Sequence, residues 1–343
     1  MIASGLLWVV LGGVVNGSFA TPMKFIGKWS WESTWLIYSI VGLLVTPLLA
    51  AVLSVPHLLL AYRQAGAYPV AVTALFGFGW GIGSVLFGLG IDAVGLARGF
   101  AIILGLTAAL GTLIPLIALT PGSLTSAKGI ATIVGLAIVI IGISLCARAG
   151  SLKERPANGA MEQAEGRAGR KKASRYSWGI LICIASGILS SMLNLALAFG
   201  QPVAAAVMRT GASAAGGASA IWALAVGAGS LCNIGFTLFL VTRNNRWKEF
   251  SIGSGRELLG AIVMGLLWMG GTTIYGVGAN RLGTSGAAYG WPLYMTAMIV
   301  TGNVWGLLTG EWAKARAAHL ALNAAGVAVL ILAIFVIGLG GAA

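Results

Sequence analysis

The chain has 343 residues, of which 58% are hydrophobic and only 8% charged, too few charges to cover a water-facing surface when soluble domains carry roughly 25%. An ordinary soluble domain is excluded, and the net charge of +13 does not argue for nucleic acid, because the bases sit at the ends of apolar runs. Those runs are about 20 residues long, enough to cross a hydrocarbon core about 30 Å thick, and stretches such as 129–146 and 327–339 show none of the alternation of a membrane barrel.

Apolar length and polar breaks place helices near 3–24, 33–54, 69–91, 97–119, 129–147, 177–199, 217–241, 257–279, 285–308 and 317–340, ten in all. The first has no basic residue before it and no small-residue cleavage signal, so it is expected to remain as helix one. Helix three carries two interleaved GxxxG steps, Gly77/Gly81 and Gly79/Gly83, which let neighbouring backbones approach. After helix five, 148–177 holds eight Lys/Arg against three acids, together with Pro156, Gly159, Gly166 and Gly169, and reads as a flexible linker. The chain thus divides into a five-helix half (1–147), a basic linker (148–176) and a second five-helix half (177–343). In helix nine, Gly290-Trp291-Pro292 is expected to interrupt the helix and free carbonyls toward a cavity. Cys146, Cys183 and Cys232 lie in or beside apolar runs without metal-ligand spacing and read as small core residues.

Counted on alternate sides of the membrane, seventeen bases fall on the linker's side and four, Arg63, Lys128, Arg209 and Arg281, on the other. The positive-inside rule then makes the linker cytoplasmic and both termini periplasmic in a bacterial inner membrane. The halves are related in sequence. The segment from Trp80 to Gly95 aligns without gaps to the segment from Trp268 to Gly283, with Trp and four Gly coinciding. A weaker match pairs Gly5, Gly13 and Phe25 with Gly179, Gly187 and Phe199. Five helices per half force the halves to enter the membrane from opposite sides, which is the inverted repeat of alternating-access carriers.

Several segments resemble the L-rhamnose/proton symporter family: Lys24, Lys28-Trp29-Ser30-Trp31-Glu32 and Trp35, then Gly77 with Trp80-Gly81-Ile82-Gly83, then 148–155. Asn233-Ile234-Gly235-Phe236, Trp268, Tyr275-Gly276 and Gly310-Glu311-Trp312 continue the resemblance in the second half. That resemblance implies the drug/metabolite transporter fold, all-α, with ten transmembrane helices as two inverted five-helix repeats around a central sugar site. One departure is that Ala287, Ala288, Tyr289 and Tyr294 stand where the family's ninth helix carries an acid followed by a histidine. It predicts weak dependence on a proton gradient.

A sugar site near the midplane needs groups that both donate and accept, and polar side chains inside apolar helices are few. The amides are Asn16, Asn194, Gln201, Asn233 and Asn303, each of which could equally tie two helices together. Aromatic rings supply the surface for a sugar's C–H face, and Trp80, Trp268, Tyr275, Tyr289, Trp291 and Tyr294 are the candidates. Trp80 and Trp268 occupy equivalent repeat positions and are expected to face one central cavity. Trp8, Trp29, Trp31, Trp178, Trp222, Trp247 and Trp312 lie nearer helix ends and read as an interfacial belt. Of the acids, Glu32 is the proton-coupling candidate, with a salt bridge to Lys24 or Lys28 as its plainer role.

No nucleophile–base pair, phosphate loop, metal site or cofactor motif is present in the sequence, so neither an enzyme nor a cofactor protein is expected. The reading is a secondary transporter of a monosaccharide or deoxysugar, rhamnose-like, embedded in lipid, with protons as the candidate coupling ion and no nucleic-acid partner. A sensor or assembly protein that keeps the transporter fold but closes the path is the alternative. The sequence leaves the oligomeric state open.

Overall fold

A computed structural model describes residues 2–154, 167–252, 255–283, 286–313 and 315–342. Every regular element among them is helical. In chain order these are α1 (Ile2–Gly17), α2 (Trp31–Tyr38), α3 (Thr46–Ser54), α4 (Leu58–Ala65), α5 (Ala67–Val94), α6 (Leu96–Leu119) and α7 (Ala127–Glu154). Then follow α8 (Arg167–Phe199), α9 (Gln201–Arg209), α10 (Ala214–Arg243), α11 (Glu249–Ile252), α12 (Gly255–Arg281), α13 (Gly286–Leu308) and α14 (Ala317–Ala342). Among the described residues nine spans are long and apolar enough to cross a membrane.

The segment expected as a helix near 285–308 is α13, 23 residues long, and it falls outside the nine because its first half is polar and aromatic. Every residue from Gly286 to Ala297 is buried. That half of the helix is surrounded by protein and does not need a uniformly apolar surface. Large aliphatic side chains elsewhere point outward, Leu53, Leu7 and Leu75 among them, as lipid solvent permits.

Two expectations about elements are corrected. The second span starts at Trp31, two residues early, because Ser30 caps it by accepting the Ser33 N–H. Its middle, Ser39–Val45, is a π-helical stretch that joins α2 to α3. There the Thr46 N–H and hydroxyl both reach back to Val41 O, and Pro47, having no N–H, cannot continue the ordinary ladder. Helix nine is not interrupted at Gly290-Trp291-Pro292: α13 runs unbroken through Pro292. The Thr296 hydroxyl donates to the Pro292 carbonyl, and packing on every side holds the turn. Within the expected linker 148–176, α7 continues to Glu154 and α8 begins at Arg167; 155–166 lies outside the described residues.

Glycine sets the closest approaches. A Cβ on Gly77 would lie 2.0 Å from Ala225 O, and one on Gly81 2.4 Å from Gly229 O, so this face of α5 lies directly on the α10 backbone. Gly79 and Gly83 turn the other way, onto Met192 and the Leu189–Ser190 backbone of α8. The two interleaved GxxxG steps therefore serve two different helices.

The packing has a repeated form. Helix α5 lies against α8 and α12 against α1; α6 lies against α8 and α13 against α1; α5 packs on α10 as α12 packs on the second span; α7 pairs with α14. Single residues repeat as well. A Cβ on Gly83 would meet Ser190 N at 2.7 Å, and one on the aligned Gly271 would meet Asn16 N at 2.6 Å. Gly90 sits on Cys183, and the aligned Gly278 sits on Val9. The partners Asn16/Ser190 and Val9/Cys183 are related by the same offset as Gly5 and Gly179.

Candidate functional site

Trp80 of α5 and Trp268 of α12 stack on one another near the middle of their helices, with ring centroids 5.2 Å apart and planes at 26°. Both are buried. Gly229 makes room for Trp80, since a Cβ there would lie 2.6 Å from the indole. A pyranose between the rings would need them about 8 Å apart, two carbon–carbon contacts of ~4 Å each, so this arrangement leaves no room for one there.

Around the pair runs a hydrogen-bond chain. Asn16 donates to Trp268 O (2.9 Å) and to the Thr272 hydroxyl (3.3 Å), and Thr272 donates to Trp268 O (2.9 Å). The Thr272 hydroxyl has its single proton in use, so its 3.5 Å contact to Tyr294 is one in which the phenol donates. Asn194 of α8 uses both amide protons, to Gly111 O of α6 at 2.7 Å and Ala287 O of α13 at 3.0 Å, and accepts from the Tyr275 hydroxyl. Tyr275 and Tyr294 are in ring contact at 4.5 Å, and Trp291 lies 5.6 Å from the first and 5.5 Å from the second. Trp291 donates to Thr107 O. Both phenol oxygens, having donated, keep their lone pairs.

Of the sequence candidates, Asn16, Asn194, Trp80, Trp268, Tyr275, Trp291 and Tyr294 thus form one buried assembly. Four lie elsewhere. Asn233 accepts from Ser84 and ties α10 to α5. Asn303 donates to Ile299 O of its own helix. Gln201 joins Asn280 at the end of the bundle away from the linker, where Tyr289 lies under the Lys128 ammonium, 4.4 Å from its ring.

The sequence missed Thr272, Tyr38 and Trp222. Tyr38 is buried just before the π stretch and contacts Phe19 and Trp35. Trp222 corrects the interfacial-belt expectation: it is fully buried and lies 6.4 Å from the Tyr275 ring. Its eight-residue distance from the start of α10 was the available signal. Trp29 is also buried, its indole donating to Glu249 O.

Glu32 sits at the linker end of the bundle. Its partner is neither lysine: Asn244 donates to it at 2.9 Å and Arg246 lies 3.5 Å away. Lys24 instead pairs with Glu311 and Thr309. Arg246 also reaches Glu249, which accepts from the Ser30 amide and hydroxyl. Burial pushes the Glu249 carboxyl up, but those Ser30 bonds, Ser33 and Arg246 outweigh it and hold the group below the usual carboxylate range. Among the described residues no group of three or more His, Cys, Asp or Glu could hold a metal ion.

Comparison with known proteins places this architecture. The chain is 28% identical over 350 residues to the L-rhamnose-proton symporter of Cronobacter sakazakii, covering 99% of this chain and 98% of that one. It is 28% identical over 349 residues to the L-rhamnose-proton symporters of Klebsiella pneumoniae subsp. pneumoniae and Salmonella paratyphi B, with the same coverage. Residues 1–343 match the family described as L-rhamnose-proton symport protein (RhaT), and the chain, a multi-pass membrane protein of a transporter family and not an enzyme, belongs to that family.

Proposed function

We propose that this protein carries L-rhamnose or a closely similar deoxysugar, together with a proton, across a bacterial inner membrane by alternating access. The observation that carries the reading is the match to the symporter family over the whole of 1–343. It counts toward proton coupling, against the expectation drawn from Ala287 and Ala288. It also counts against a sensor or assembly protein. The sugar site is the assembly of Trp80, Trp268, Tyr275, Trp291 and Tyr294, where ring faces meet phenol acceptors; Asn16 and Asn194 hold its walls together.

The architecture is ten helices in two inverted five-helix repeats, 1–147 and 177–343. The paired contacts at Gly83/Gly271 and Gly90/Gly278 support this, because aligned glycines meet aligned partners in both halves. The stacked tryptophans then straddle the axis relating the halves. The linker is cytoplasmic and the termini periplasmic, by the excess of bases at the linker end.

Uptake of radiolabelled L-rhamnose into proteoliposomes is the test. A pH gradient, acid outside, is expected to raise accumulation at least several-fold over the level reached without one. No uptake of L-rhamnose or of any monosaccharide in a panel sinks the reading.

A further inference from the structure

Within the aromatic assembly, three polar tips have protein partners and one fully buried tip has none. Tyr275 donates to Asn194, Tyr294 to Thr272 and Trp291 to Thr107 O. The exception is Trp222 of α10, fully buried, whose Nε1–H meets no acceptor. Ser39 and Thr112 also have buried hydroxyls without a partner, but a hydroxyl rotates and can turn to its own helix carbonyl. An indole N–H is fixed in the ring plane and can only donate. Leaving it unpaired in a buried site is costly unless something else accepts from it.

The neighbour across from this N–H is Gly276 of α12. A Cβ there would lie 2.6 Å from Nε1, so the absence of a side chain is what lets α12 come against this edge of the indole. The aligned Gly88 of α5 has nothing within 4 Å at the same position. The arrangement at Gly276 is therefore not a by-product of the repeat. The two phenols beside it offer acceptors only, whereas a sugar hydroxyl both donates and accepts.

We propose that Trp222 is a substrate-binding residue whose indole N–H donates to a hydroxyl or ring oxygen of the sugar when α10 and α12 part around it. The inference rests on the sugar-transport reading above. It makes Trp222 a determinant of which hydroxyl pattern is accepted, because a sugar lacking an acceptor there leaves the donor buried and unpaired.

The experiment is L-rhamnose binding to purified wild type and Trp222→Phe, read by isothermal titration, with thermal melting recorded in the absence of sugar. Phenylalanine keeps a ring and removes the donor. The expected result is a Kd raised about tenfold, with a sugar-free melting temperature equal to or above that of wild type. Trp222→His, which retains a ring N–H, recovers most of the loss, and it carries the test alone if Trp222→Phe does not fold. Unchanged affinity in Trp222→Phe overturns the inference and leaves the transport reading intact. A folded Trp222→His that binds as poorly as Trp222→Phe also overturns it, since ring shape would then explain the effect. A wild type that binds no L-rhamnose overturns both.

Discussion

Asn194 occupies the centre of the assembly without offering a free proton to a ligand. Its amide joins α8 to α6 and α13 and holds the Tyr275 hydroxyl from α12. Asn194→Ala would strand the Gly111 carbonyl, which faces Pro115 and has no helix donor, and the Tyr275 phenol in a buried place, each costing about 1–3 kcal/mol. The expected outcome is a loss of about 3 kcal/mol or more, seen as a clear fall in melting temperature and in the yield of monodisperse protein. Tyr275→Phe removes one bond of the set and should cost only about 1 kcal/mol. Equal effects of the two would mean that Asn194 is not the hub. Residue type alone made Asn16, Asn194 and the six aromatics legible as candidates, because amides and rings are rare and costly or bulky inside apolar helices. What type does not reveal is direction: Asn303 turned out to serve its own helix and Asn233 its neighbour, and that depends on which helix face meets which partner.

At the scale of the helix, glycine spacing carries the packing. The faces Gly77/Gly81 and Gly79/Gly83 of α5 meet backbone or side chains of two helices at distances that admit no methyl group without movement. Gly77→Ala places its Cβ against the Ala225 backbone, which cannot rotate away, and is expected to destabilise by about 1–3 kcal/mol or more. Gly88→Ala on the same helix meets open space. It should be neutral or stabilise by up to about 1 kcal/mol through helix propensity. Melting temperatures of the two variants in one detergent decide the matter; a Gly77→Ala protein as stable as Gly88→Ala would show that α5 and α10 are not so close. Element positions followed from apolar length, but the π stretch at Ser39–Val45 and the continuity of α13 through Pro292 did not. Both depend on neighbours: Gly42 packs on the Gly265 backbone, and burial on all sides supports the proline turn.

At the scale of the whole molecule, charge is segregated between the two ends. Arg63, Lys128, Arg209 and Arg281 fall at one end, while the pairs Lys24–Glu311 and Glu32–Arg246–Glu249 tie segments together at the other. Those pairs link the loop after α1 to the loop after α13, and the start of α2 to the segment between α10 and α12. Parts from opposite halves are thereby held together on the linker side. A carrier opening toward that side must separate them. We propose Glu32 as the group that connects proton binding to opening, since an oxygen engaged by Arg246 and Asn244 is freed when the segments part. Glu32→Gln keeps the Asn244 contact and removes the charge. It is expected to exchange L-rhamnose across a membrane at equal pH, because the proposed sugar site lies elsewhere, while accumulation under a pH gradient falls to the level without one. Counterflow and gradient-driven uptake measured on the same proteoliposomes separate the two functions. Accumulation that persists in Glu32→Gln would reduce Glu32 to a member of the ion-pair clamp and move the search for the proton to another group.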